Sequence, residues 1–240
     1  MAYEKRIYRH FIKSENLVNF EIKILHTDLY ILAEKDLTEK AEESILKYRS
    51  QIEDYIRDNR IFLETLKPLS VAKDVPLIIK DMAEAGSKAG VGPMAAVAGA
   101  IAESVGRDLL HYTKEVIVEN GGDIFIKSDK LRRIGLFTGN AIIDRKLIIE
   151  LQPSDKPQGI CTSSGKIGPS LSFGNADAVT IIADRASVAD AFATAVGNMI
   201  KTSTDIQKGI AFAKNNADIK GLLIVIDNNI GIWGKIKLAE

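Results

Sequence analysis

At 240 residues, 46% hydrophobic and 27% charged, the chain has ordinary globular composition and enough length for a real hydrophobic core. Its 32 Lys and Arg balance 32 Asp and Glu, so no global charge argues for a nucleic-acid partner or an anionic membrane surface. One cysteine excludes an intramolecular disulfide framework. The longest nearly apolar run, residues 94–102, is far too short to span a bilayer. The N-terminus is charged throughout and lacks an apolar signal region, and the expectation is a soluble, cytoplasmic protein with no membrane partner.

Residues 6–12, 17–25 and 28–33 are rich in Ile, Phe, Tyr and Val and read as three strands. Phe20, Ile22 and Ile24 alternate with Glu21 and Lys23, which predicts one buried and one wet face. His10 and His26 fall in this sheet or its turns, with no second ligand nearby in sequence. Residues 37–66 turn helical: Ile45, Tyr48, Ile52, Tyr55, Ile56 and Leu63 form an apolar stripe, and Asp36 with Glu39 resembles an N-terminal capping pair. The helix is expected to stop before Lys67–Pro68. A second helical stretch begins after Pro76 and leads to a glycine-rich loop, residues 86–93, containing Gly90 and Gly92.

Gly92–Pro93 is a good helix start, and residues 94–112 are predicted helical, with small residues over the first two turns. Small residues admit a second backbone or a flat ligand, and a glycine loop feeding a helix N-terminus is a generic anion site. Tight packing explains the same composition, and no Gly-Lys-Ser/Thr ends the loop as a Walker motif requires. The same helix is the surface on which a homodimer is considered. Residues 116–118 and 124–126 read as strands around Glu119-Asn120-Gly121-Gly122-Asp123, whose glycines permit a tight turn. Asn120 and Asp123 either serve that turn or face a ligand. Further strands are expected at 133–138, 147–152 and 178–183, helices at 187–200 and 204–215, and a hairpin of 222–226 with 230–237 closes the chain. Trp233 reads as a core or edge anchor. Hairpins with clustered helices predict an α+β fold of mixed or antiparallel sheets with packed helices.

Polar residues are densest between 159 and 198. Cys161 is followed by Thr162, Ser163, Ser164 and Gly165, a run read as a loop that binds phosphate or carbonyl groups, or that presents a reactive thiol. Asp190 and Thr194, four apart on a predicted helix, share one face and offer the hard oxygens that Mg²⁺ takes. Asp190 also lies three residues after Ser187, so the two could instead close a capping box.

Three ordered segments resemble the flavin transferase superfamily known as ApbE: residues 90–100, Glu-Asn-Gly-Gly-Asp at 119–123, and Thr-Ser-Ser-Gly (162–165) followed by Ala-Val-Thr-Ile (178–181) and Ala-Asp-Ala-Phe-Ala-Thr (189–194). The wording is most similar to a small ApbE-like branch classed as an uncharacterised protein family. The resemblance implies one ApbE-like α+β domain over residues 1–240 and a small phosphorylated ligand, FAD or FMN. It implies Mg²⁺ on Asp190 and Thr194, phosphate cradled by the glycine turns, and Asp123 positioning the ligand. Flavin transferases cleave FAD at its pyrophosphate and join FMN to a protein Ser or Thr. This chain departs from them at Ala96, where their motif carries Lys and Asp nearby, at residues 166–175, where their His-x-x-Asp-Pro is absent, and in lacking their export signal. Two alternatives stand beside a Mg²⁺-dependent transferase or hydrolase: sulfur chemistry at Cys161, and ligand binding without catalysis.

Overall fold

Strand residues that alternate between two apolar environments require a sheet covered on both faces. The computed structural model, which describes residues 16–136, 147–165 and 172–239, shows that sheet. It has eight strands in the order β1 (Val18–Ile24), β2 (Thr27–Ala33), β3 (Val116–Asn120), β4 (Asp123–Lys127), β7 (Gln158–Ser163), β8 (Ala178–Ala183), β9 (Ile219–Ile226) and β10 (Asn229–Gly234). Every neighbouring pair is antiparallel. A second sheet orders β11 (Lys237–Leu238), β6 (Ile148–Leu151) and β5 (Arg132–Gly135).

Ile31, Val118, Phe125, Cys161, Ile181 and Ile224 point into the larger core, shared with the helices. Their strand neighbours Leu32, Ile117, Ile126, Ile160, Ile182 and Val225 point the other way, against Ile134, Ile149 and Leu151 of the small sheet. The helical layer comprises α1 (Thr38–Asp58), α2 (Arg60–Glu64), α3 (Leu77–Ala89), a 3₁₀ turn Pro93–Ala96, α4 (Val97–Leu109), α5 (Ala186–Met199) and α6 (Ile206–Lys214). α4 packs on β3 and β4, α5 on β7 and β8, and α6 on β9 and β10. The α+β class and its antiparallel sheets are as the sequence implies. Among the described residues no single helix is long and apolar enough to cross a membrane.

Several boundaries move for physical reasons. The predicted strand at 6–12 lies outside the described residues, as do the ends of those at 133–138. The helix expected over 37–66 breaks at Asn59, whose amide bonds the Tyr55 carbonyl at 3.1 Å, and it ends at Glu64. Asp36 accepts from the Thr38 N–H at 2.9 Å, but no side chain caps the N-terminus of α1, so the Asp36–Glu39 capping pair does not form. Gly86 is not in a loop. It lies inside α3, where an added Cβ would stand 2.8 Å from the Val91 carbonyl oxygen, and α3 ends instead at left-handed Gly90 (φ 74°). Small residues of α4 pack inward: a Cβ on Gly106 would meet the Phe125 ring at 2.2 Å. The largest revision concerns the stretch around Cys161. Cys161, Thr162 and Ser163, read as part of a loop, belong to β7, hydrogen-bonded between β4 and β8 in the middle of the sheet.

Candidate functional site

The β3–β4 hairpin turns at Gly121 and Gly122, both with positive φ (68° and 104°), where glycine is required. Glu119 supports the turn by accepting the Gly122 N–H at 2.7 Å. The register sets Asn120 opposite Asp123, and Asp123 opposite Cys161 on β7, all three on the helix-facing side. Helix α5 then brings Asp190 over this group, and α4 brings its first turn.

Asp190 Oδ2 accepts the Gly99 N–H at 2.8 Å, and the Asn120 amide donates to the Ala98 carbonyl at 3.1 Å. Gly99 allows this approach: a Cβ there would lie 2.3 Å from the Ala186 carbonyl oxygen and 2.8 Å from Asp190 Cβ. A helix N-terminus attracts an anion through its free N–H groups. At α4 that anion is the chain's own carboxylate. The Gly99 N–H at this end of α4 is therefore engaged from within the chain. The glycines before it have local reasons as well: Gly90 terminates α3, and a Cβ on Gly92 would collide with the Thr65 carbonyl oxygen at 1.9 Å.

The capping-box reading of Ser187 and Asp190 is not what forms. Helix α5 starts after Arg185 with no side-chain cap, and the Ser187 N–H and hydroxyl both donate to Glu103 Oε2, at 3.3 and 3.4 Å. Glu103, buried on α4, also accepts from Arg107 and from Arg185, whose other partner is Asp81 on α3 at 2.5 Å. The start of α5, and with it Asp190, is thus bolted to α3 and α4 by charge-assisted bonds around the buried Glu103 carboxylate.

Burial pushes the Asp190 carboxyl up to about 7, against the Gly99 and Ala98 N–H bonds that favour its charged form. Burial, and then the charge of Asp190, raise Asp123 well above the usual carboxylate range. Burial, followed by the charges of Asp123 and Asp190, raises the Cys161 thiol in turn. Cys161 is fully buried and donates to the Ala186 carbonyl at 3.3 Å. A nucleophilic thiol needs exposure and a lowered pKa, and Cys161 has neither. The hydroxyl-rich neighbours that suggested reactivity sit on a strand, where alternate residues face opposite ways. Thr162 points to the other face and bonds Thr180 at 2.9 Å. Ser163, paired with Val179 at the end of β7, and Ser164 just beyond it are half-buried, and the Gly165 N–H donates to the Ala176 carbonyl at 2.9 Å.

The structure thus gathers Asn120, Asp123, Cys161 and Asp190. Thr194, one turn along α5, is half-buried, and Thr162 is turned away. Among the described residues no group of three or more His, Cys, Asp or Glu is arranged to hold a metal, and His26 is exposed. Two surface clefts lie elsewhere. One of about 410 Å³ lies between α1 and the end of α4, where Lys47, Ser44 and Tyr48 already satisfy Asp108. The other, about 10 Å³, lies between the sheets near Arg132. Neither borders the Asp123–Asp190 pair, and the chemistry of that pair is the better guide to a site than the size of either cleft.

A family model described as "AbpE bacteria" matches residues 9–229. The chain belongs to this ApbE-like family. It is 38% identical over 226 residues to a UPF0280 protein of Methanococcus aeolicus, covering 92% of this chain and 91% of that one. It is 43% identical over 209 residues to a UPF0280 protein of Methanocaldococcus jannaschii, covering 85% and 84%. A mutant of the flavin transferase ApbE from Vibrio cholerae superposes with a TM-score of 0.62 at 14% identity, over 92% of this chain and 97% of that one. The apo flavinyl transferase ApbE of Pseudomonas stutzeri superposes at 0.57 and 14%, over 91% and 94%. The ApbE-like fold is therefore shared; within this chain, Glu103 and Arg185 are structural residues that the sequence reading passed over. The signal was present: Glu103 is the lone charge in a run of Ala, Gly, Ile and Ser.

Proposed function

We propose that this ApbE-like chain binds a flavin nucleotide, FAD or FMN, or a similar phosphorylated nucleotide together with Mg²⁺, at the mouth formed by the β3–β4 turn, the end of β7 and one face of α5. The observation that carries the reading is the buried Asp123–Asp190 pair, whose Asp190 is held on the first turn of α4. Two carboxyl groups kept out of water beside each other resist ionising together, and a hard divalent cation, which takes oxygen donors, would relieve that cost. The Asp190 carboxylate, oriented by the Gly99 N–H, and the Thr194 hydroxyl are the donors this chain would offer Mg²⁺, with ligand phosphate and water completing the shell. When bound, Mg²⁺ neutralises charge on a pyrophosphate and on a leaving nucleotide.

The chain's own residues do the rest. The glycine turn at 121–122 exposes backbone close to the ligand, Asn120 and Asp123 orient it, and Ser163, Ser164 and Gly165 supply further polar contacts. The likeness to flavin transferases supports transfer of a flavin as the reaction class. A second reading, binding without turnover, is favoured by Ala96, which is fully buried where the resemblance to transferases calls for polar groups nearby. Titration calorimetry of FAD and FMN with and without Mg²⁺ separates these from no binding at all, and assay for AMP release or protein-bound FMN separates the two. Mg²⁺-dependent binding is the expected result. Absence of binding to either flavin defeats the proposal.

A further inference from the structure

The segment 172–176 is firmly held and yet presents a large aromatic side chain to solvent. The Phe173 N–H donates to Asn198 Oδ1 at 2.9 Å, the Asn175 N–H to the Ile200 carbonyl at 2.8 Å, and the Asn175 amide to the Lys201 carbonyl at 2.9 Å. Gly174 sits so close to α5 that a Cβ would stand 1.8 Å from the Gly197 carbonyl oxygen, and a Cβ on Gly165 would meet the Gly174 carbonyl oxygen at 2.3 Å. The Phe173 side chain is nonetheless 51% exposed. Asp190, Thr194 and Asn198 recur every four residues, so they run along one face of α5. Phe173 is pinned to the last of them, about 12 Å along the helix axis from Asp190 at about 1.5 Å per residue.

We propose that Phe173 is a ring-stacking residue of this site, taking the planar heteroaromatic ring of a nucleotide whose phosphates lie toward Asp190 and Thr194. The inference rests on the nucleotide-binding reading above and adds where the ring goes. An apolar ring on a backbone held by hydrogen bonds offers a flat surface at little ordering cost, which is what stacking requires. The backbone N–H, not the ring, makes the bond to Asn198, so removing the ring leaves the segment's anchors in place.

The test is calorimetry of wild type, Phe173→Ala and Phe173→Trp with FMN, ADP and inorganic pyrophosphate, each with Mg²⁺. FMN reports the isoalloxazine ring, ADP the adenine, and pyrophosphate neither. The expected result is that Phe173→Ala weakens FMN or ADP binding about tenfold, that Phe173→Trp restores it, and that pyrophosphate binds all three proteins alike. Equal binding of FMN and ADP by wild type and Phe173→Ala overturns the proposal and leaves the nucleotide site standing. A wild type that binds none of the three ligands overturns both.

Discussion

Replacing Gly159 with alanine tests the closest approach on which the site depends. The added Cβ would stand 2.3 Å from Ala186 Cα, 2.5 Å from its nitrogen and 2.7 Å from the Arg185 carbonyl carbon. All three are backbone atoms, so no side chain can swing away, and β7 must part from the start of α5 by about 1 Å to regain ordinary contact. Overpacking of this kind costs about 3 kcal/mol, the upper part of the usual range. For a chain of this size that is a fall in Tm of about 6–12 °C. The same displacement strains the Cys161–Ala186 bond and shifts Asp190, so ligand binding should weaken alongside stability. Gly197→Ala is the control. Its Cβ would meet Ser163 Oγ at 3.6 Å, an ordinary contact, within a helix that prefers alanine. Thermal melts of both variants by circular dichroism decide the matter. A Gly159→Ala protein that melts with wild type would refute the close packing of β7 against α5.

Three further outcomes follow from the buried charges. Asp190 titrates at about 7 when folded, against an ordinary 3.8, so between those values the folded chain keeps a proton that the unfolded chain has released. Stability should therefore fall as pH rises through that window and level off above it, by a few kcal/mol in all at about 1.4 kcal/mol per pH unit. Denaturant melts from pH 4.5 to 8 should show this slope in wild type and a shallower one in Asp190→Asn. Equal slopes would contradict the assignment. Glu103→Gln should destabilise by about 3 kcal/mol, because Arg185 and Arg107 lose a buried anionic partner; a loss under 0.5 kcal/mol by denaturant titration would show the network to be incidental. Cys161 should resist a thiol reagent in the folded protein and react with one equivalent after denaturation. Rapid labelling of the native chain would reopen thiol chemistry.

What the sequence shows clearly is what local pattern can carry. The hairpin turn at Gly121–Gly122 needs residues that accept positive φ, and the alternation in β1 and the apolar content of β8 mark strands directly. The strand at 158–163 was hidden because Gly, Thr and Ser read as loop while Gly159, Ile160 and Cys161 pair on both sides. The site was half legible. Asp190 stood out by residue type, but its spacing from Ser187 suggested a local cap, whereas its real partner is the N–H of Gly99, 91 positions away. Contacts of that range leave no periodic trace, and they also took Ser187 to Glu103 and folded Cys161 inward.

The most direct test of the account is the stabilisation of wild type and Asp190→Asn by FAD, read as the shift in Tm relative to each protein's own unliganded melt, with Mg²⁺ and with chelator. Asparagine can still accept the Gly99 N–H, so the fold around α4 is retained while the charge is lost. The account predicts a shift in wild type that requires Mg²⁺ and is lost in Asp190→Asn. An equal, Mg²⁺-independent shift in both proteins would contradict it.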